Sequence, residues 1–114
     1  MVVSGGEGSG PLVMDQVLLQ RYILLCGQYM EGGLRDKPGK PRDFYHTCYT
    51  LSGLSVAQHC LTEPPLVYGD SSNELRPTNP AFNLAEDKVV KAMAYFNHHP
   101  RDHETLLHAD GGEF

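Results

Sequence analysis

The residues best suited to chemistry lie close together in residues 32–55. His46 is the third residue of a predicted helix that follows Asp43, whose carboxylate can accept from the free N–H groups of the first turn. The positive end of the helix dipole disfavours the imidazolium form there, so the ring should be neutral, as metal binding requires. Tyr45 directly precedes His46 and should lie near the same end of the helix. Without further context, a lone histidine at a helix start is more often a hydrogen-bonding group than a ligand.

A charged loop precedes this helix start. Gly32 and Gly33 can adopt positive φ angles, and a Pro-Gly pair follows, so residues 32–41 are predicted to be a loop. The charged side chains of the loop include Asp36, Lys37 and Lys40, and Arg42 follows directly after it. By composition alone, they are most simply a solvated charged surface.

Three helices are predicted to position these residues. The first runs from Leu12 to Cys26, because apolar residues recur there at helical spacing, and Gly27 is a plausible stop. The second runs from Phe44 to about His59, since this stretch contains neither proline nor a strand-like alternation. A line of small residues on it suits close packing against another helix: Cys48, Ser52 and Ser55.

A long loop and a third helix complete the chain. Residues 61–79 carry several prolines, and loops of this length are uncommon unless they pack on something or serve a function. Asn83 is predicted to cap the third helix, with Glu86 completing a capping box. The apolar face of that helix consists of Val89, Ala92, Met93 and Phe96. The predicted regions are a flexible lead-in (residues 1–11), a helical region (residues 12–97) and a polar tail (residues 98–114).

The composition excludes several classes of function. The 114 residues, of which 40% are hydrophobic, suffice for one domain with some core but not for a large barrel. A formal net charge of -5 argues against non-specific nucleic-acid binding. No apolar stretch approaches the roughly 18 residues that a membrane span needs, and no signal peptide is recognisable. A soluble, cytoplasmic protein is therefore expected.

Two other groups of residues could carry chemistry, but neither has supporting context. Three cysteines without a CxxC motif suit free thiols in a reducing compartment, and no local signature pairs one of them with a histidine as a nucleophile. The histidines of residues 98–108 could bind a transition metal, with His99 and His103 on one helix face. Pro100 interrupts any such helix, which favours a solvated tail.

The run DKPGKPRDFYHTCYTLSGLS, residues 36–55, resembles a repeat of the β-subunit family of protein farnesyltransferases. These enzymes attach a farnesyl group to the cysteine of a C-terminal C-a-a-X tail. The likeness extends more loosely over residues 12–96. It implies an all-α fold, a partial α-α barrel (α/α toroid) with about three helices of the prenyltransferase repeat. It also implies that the chain corresponds to a C-terminal portion of such a subunit.

The resemblance assigns roles to four residues. His46 matches a zinc ligand, and Tyr45 matches an aromatic residue that lines the pocket for an aliphatic residue of the C-a-a-X tail. Asp36 and Lys37 are assigned as catalytic residues, because Asp36 matches a position near the diphosphate that is associated with magnesium and Lys37 lies next to it. The other two zinc ligands of the family lie in a D-x-C element that this sequence lacks, so one ligand of three is present. The implied partners are an α subunit in a heterodimer, farnesyl diphosphate and C-a-a-X protein tails.

Two interpretations of the chain remain open. The DFYHTCY core favours descent from the catalytic subunit, whereas the absent D-x-C element favours a non-catalytic helical interaction module derived from it. A geranylgeranyl-type relative is disfavoured by the pair Tyr45 and His46. Repeat proteins generally need at least three units for stability, so the isolated chain is expected to be marginal or dependent on a partner.

Overall fold

The computed structural model describes residues 14–60 and 63–99, and three helices dominate them. The elements, in order, are α1 (Gln16–Tyr22) with a π-helical turn (Ile23–Gly27), α2 (Phe44–His59), a 3-10 turn (Ser71–Asn73), strands β1 (Thr78–Asn79) and β2 (Leu84–Ala85), and α3 (Glu86–His98). The family-based expectation of a helical fold is confirmed, with a small two-stranded sheet added to it. No helix among the described residues is long and apolar enough to cross a membrane.

Helix α1 begins later than its apolar pattern predicted. Asp15 has an extended backbone, and its side chain accepts from the backbone N–H of Leu18 at 2.9 Å. This is N-cap geometry, so the helix starts at Gln16 and the predicted start at Leu12 is wrong. The predicted end at Gly27 is confirmed, because the π-helical turn that continues α1 stops there.

Helix α2 has the predicted bounds. Asp43 adopts an extended backbone (φ -151°, ψ 166°), and its carboxylate accepts from the backbone N–H of His46. The local cause of these bounds, a good N-cap followed by a stretch without proline, was visible in the sequence.

A thin apolar core joins α1, α2 and the loop between them. Ile23, Leu34 and Leu54 are buried together, and Leu19, Leu24 and Leu75 pack against them. Burying one such side chain contributes on the order of 1.5–3 kcal/mol, so this core is a modest source of stability. The largest fully buried side chains are polar: Gln20, Gln58 and Ser55.

The start of α3 differs from the prediction. Asn83 has a positive φ of 54° and lies in the turn between β1 and β2, which pair antiparallel with Thr78 opposite Ala85. Asparagine tolerates this left-handed conformation better than most residues, so Asn83 serves the turn instead of the helix. The residue before α3 is Ala85, which makes no side-chain cap, so the predicted capping box is wrong.

The predicted apolar face of α3 is largely uncovered. Val89 is buried, whereas Met93 and Phe96 are exposed. Among residues 14–60 and 63–99, the small-residue line on α2 meets a loop and turn instead of the predicted helix. Ser55 donates to the carbonyl of Arg76, and Cys48 lies beside Asn83, so this line faces residues 76–83.

The three cysteines are free thiols, as predicted. The lead-in (residues 1–11) and most of the tail (residues 98–114) lie outside the described residues, as do His103 and His108.

Candidate functional site

The start of α2 holds His46 through both oxygens of one carboxylate. The Oδ1 atom of Asp43 accepts from the backbone N–H of His46 at 2.6 Å, and its Oδ2 atom lies 2.6 Å from the ring Nδ1 atom. These contacts favour the ionised carboxylate. The backbone N–H of His46, and secondly its side chain, therefore lower the pKa of Asp43 from its ordinary value of 3.8.

This contact fixes the tautomer of the His46 ring. An ionised carboxylate can only accept, so Nδ1 carries the proton and donates it to Asp43. In the neutral ring, Nε2 then presents its lone pair. It lies 3.8 Å from the Oδ1 atom of Asp36, too far for a hydrogen bond. An imidazole anchored through one nitrogen, with the other available, is the usual arrangement of a metal-binding histidine.

The charged loop brings one of its predicted site residues to His46. The Asp36 side chain reaches the ring, and the hydroxyl of Tyr22 donates to the Asp36 carbonyl at 3.4 Å. Lys37 follows in the chain and is exposed, and its carbonyl accepts from the backbone N–H of Lys40. The structure thus places Asp36 beside His46 and leaves Lys37 on the adjoining surface.

Arg42 has a positioning role that the sequence did not reveal. Its Nη1 atom donates to the carbonyls of Glu31 and Gly32, at 2.9 and 2.7 Å. The Tyr29 ring lies 5.7 Å from its guanidinium carbon and 5.1 Å from that of Arg35. Arg42 is exposed, as predicted, and in addition its hydrogen bonds tie the Gly-Gly turn to the start of α2.

Thr47 is a second residue that sequence reasoning missed. Its hydroxyl accepts from the backbone N–H of Leu34 at 2.9 Å, and Leu34 is buried in the core. The carbonyl of Leu34 in turn accepts from the backbone N–H of Asp43 at 3.3 Å. The backbone N–H and the carbonyl of Leu34 therefore both bind residues at the start of α2, which fixes this helix start to the preceding loop. The only sequence signal for this contact was that Thr47 places a hydroxyl four residues after the N-cap.

Tyr45 lies in a small aromatic cluster at the rim of the site. Its ring meets His46 edge-on, with centroids 5.2 Å apart, and tilts against Tyr49 at 4.9 Å. Tyr45 and Tyr49 are 66% and 56% exposed, so both are available for contact. Sequence reasoning overlooked Tyr49, although its position one turn after Tyr45 could have indicated the pair.

Two openings border the carboxylates that contact His46. One, of about 560 Å³, is lined by Gly32, Gly33, Arg42, Asp43, Phe44 and Thr47. The other, of about 270 Å³, lies between α1 and α2, and Asp36 and Tyr49 are among its lining residues. Tyr45 lines neither opening, so its predicted role in a pocket stays a prediction.

The described residues fit one ligand of a metal site. His46 presents Nε2, but within residues 14–60 and 63–99 no group of three His, Cys, Asp or Glu side chains could hold an ion. A catalytic zinc site requires three protein ligands, so two would have to come from elsewhere. Asp36 is a single, half-exposed carboxylate, which suits magnesium only together with phosphate oxygens.

Comparison with known proteins gives consistent matches. Residues 8–84 match the family described as prenyltransferase alpha-alpha toroid domain. The chain is 51% identical over 92 residues to protein farnesyltransferase subunit beta of Arabidopsis thaliana, covering 75% of this chain and 19% of that protein. The same subunit of Pisum sativum is 47% identical over 102 residues, covering 83% of this chain and 24% of that protein. That of Schizosaccharomyces pombe is 48% identical over 110 residues, covering 84% and 29%. The chain thus spans less than a third of the length of these relatives.

Proposed function

This chain belongs to the prenyltransferase alpha-alpha toroid family, and we propose that it forms part of the catalytic β subunit of a protein farnesyltransferase. The observation that carries the proposal is its identity of 47 to 51% with two plant proteins of that name. The reaction is transfer of a farnesyl group from farnesyl diphosphate to the cysteine thiolate of a C-terminal C-a-a-X tail. The geometry at the start of α2 supports this proposal, because it combines a ligand-ready imidazole, a carboxylate and exposed aromatic rings.

His46 is the proposed metal ligand. Its ring is oriented by Asp43 and presents Nε2 at the border of the site. A zinc ion bound there would favour the thiolate form of the substrate cysteine near neutral pH. The two remaining zinc ligands are proposed to come from other parts of the complete subunit, because this sequence lacks the D-x-C element.

The neighbouring residues are assigned to the substrates. Asp36 and Lys37 are proposed to face the diphosphate, with Asp36 contributing one oxygen to a magnesium ion. Tyr45 is proposed to contact an aliphatic residue of the C-a-a-X tail, for which its 66% exposure leaves room. The complete enzyme is proposed to be a cytoplasmic heterodimer with an α subunit.

A chimeric subunit tests the proposal. Residues 14–99 would replace the matching segment of the Arabidopsis thaliana farnesyltransferase β subunit, which would be co-expressed with its α subunit. We expect transfer of farnesyl to a C-a-a-X peptide within about tenfold of the parent rate, with zinc retained. His46→Ala in the chimera should lose both zinc and transfer. His98→Ala, at the exposed last residue of α3, should lose neither.

The same experiment separates the second candidate, a non-catalytic interaction module. A chimera that pairs with the α subunit but transfers no farnesyl group would contradict the catalytic proposal. Co-purification of the 114-residue chain with an α subunit, without zinc, would then support the module. The absence of the D-x-C element from this sequence is the observation that favours this alternative.

A further inference from the structure

Two buried glutamines, one from each of the paired helices, hold the same loop in the same way. Gln20 of α1 donates from Nε2 to the carbonyl of Leu66 at 2.8 Å and accepts from the backbone N–H of Tyr68 at 3.0 Å. Gln58 of α2 donates to the carbonyl of Asn73 and accepts from the backbone N–H of Leu75, both at 2.8 Å. Each side chain thus pairs with the carbonyl of one residue and the N–H of the residue two positions later.

The glutamine side chains in these contacts are closed to water, whereas their loop partners are half-buried or exposed. Both glutamines are 0% exposed, and within the described residues no buried side-chain nitrogen or oxygen lacks a partner. If the loop moved away, the glutamine amides would lose their partners unless water entered. The buried amides therefore favour the closed loop.

Further bonds hold the loop against α2. The backbone N–H of Leu66 donates to the carbonyl of Gln58 at 2.9 Å. His59 donates from Nε2 to the carbonyl of Leu75 at 2.6 Å, and Ser55 donates to that of Arg76 at 2.6 Å. Residues 66–76, here called the strap, are thus bonded to α1 near their start and to α2 at both ends.

Asn73 links the two glutamine contacts. Tyr68 donates its N–H to Gln20, while its carbonyl accepts from the side-chain amide of Asn73 at 3.0 Å. The carbonyl of Asn73 accepts from Gln58. A continuous series of hydrogen bonds therefore runs from α1, through the strap, to α2. The turn inside it requires Gly69, which has a φ of 81°.

We propose that the strap opens and closes as a single unit, with its two halves coupled through Asn73. When the strap opens at Tyr68, the Asn73 side chain loses its hydrogen-bond partner. When it opens at Asn73, Gln58 loses its partner. Therefore neither the half that binds Gln20 nor the half that binds Gln58 opens alone. The closed strap thereby bridges α1 and α2, in addition to the apolar core that joins them. This inference concerns the described fold and is independent of prenyl transfer.

Hydrogen exchange of the full 114-residue chain tests the proposal. The two probes are the amides of Tyr68 and Leu75, since each donates to a glutamine side chain. Measured in increasing urea, they should show protection factors within about threefold of each other and the same urea dependence. Independent exchange of the two amides, or exchange of both at the rate of an unstructured peptide, would overturn the single unit.

Asn73→Asp tests the link directly. The carboxylate cannot donate to the Tyr68 carbonyl, so the two amides should separate by at least about tenfold in protection. Asn97→Asp, on the exposed surface of α3, is the matched control and should leave them equal. If the Asn73 variant keeps both amides equally protected, the coupling is refuted. If it does not fold, the urea series on the unchanged chain decides the question.

Discussion

The Nδ1 atom of His46 lies 2.6 Å from the Oδ2 atom of Asp43, the residue whose other carboxylate oxygen caps the helix that carries His46. One side chain therefore performs two tasks. It starts α2, and it selects the ring tautomer that leaves Nε2 available. Because the cap fixes the position of the carboxylate, the ring orientation follows from the same local geometry that begins the helix.

The tautomer of His46 should depend on Asp43. Replacing Asp43 with alanine removes the acceptor of the Nδ1 proton, so the ring should move toward the Nε2–H tautomer that predominates in free histidine. Nitrogen chemical shifts of the labelled His46 ring would report the change. Asp43→Ser separates the two roles of the residue, because serine can cap the helix but is too short to hold the ring. Wild-type shifts in Asp43→Ser would contradict the assignment.

Acid should weaken the start of α2 through Asp43. Its pKa is lowered from 3.8 by the His46 contacts, so the folded state binds the proton less tightly than the unfolded state. The stabilisation is therefore fully present above about pH 4 and is lost as the pH falls through the lower pKa of the folded state.

Asp43→Asn isolates this effect, because asparagine still caps a helix and does not titrate. Helical circular dichroism followed from neutral pH to about pH 2 should fall less steeply in this variant. Some acid sensitivity should persist, since the backbone N–H of Ser72 also lowers the pKa of Asp70. Equal acid slopes for the two proteins would show that Asp43 contributes nothing.

Thr47→Val should destabilise the fold by about 1–3 kcal/mol in urea unfolding. Valine keeps the shape of threonine but cannot accept from the N–H of Leu34, which would lie unpaired beside the core. Thr50→Val, a half-buried position on the same helix, is the matched control and should change stability little. Equal losses at the two positions would assign the effect to valine in a helix, not to the lost hydrogen bond.

Two glycine substitutions should act in opposite directions. Gly33 has a φ of 83°, and an added Cβ would lie 3.4 Å from both Arg42 Cδ and Thr47 Oγ1. Gly33→Ala should therefore cost at least about 1–2 kcal/mol, the penalty for a left-handed residue with a side chain. Gly53 lies inside α2, and a methyl group added there would meet no neighbouring side chain within 4 Å. Gly53→Ala should gain about 0.5–1 kcal/mol. Urea midpoints that move in the same direction would contradict this difference.

Local sequence signals determined α2 and its relation to His46. An aspartate followed by a proline-free stretch predicted the cap, and the position of His46 three residues later followed from helix geometry. The stop at Gly27 and the loop of residues 32–41 were likewise predictable, because backbone preferences of glycine and proline act over a few residues. The DFYHTCY run carried the family resemblance, which the match over residues 8–84 confirms.

The tertiary structure decided the features that depend on residues distant in the chain. No sequence signal marked Gln20 and Gln58 for burial, because only the folded loop supplies the peptide groups that pair with them. Asn83 satisfied a capping pattern, yet the pairing of β1 with β2 placed it in a turn. The two hydrogen bonds of Arg42 could not be predicted from the sequence, because its carbonyl partners lie ten and eleven residues away. A sequence displays short-range preferences directly, whereas the partner of a polar side chain is chosen by the burial that the whole fold imposes.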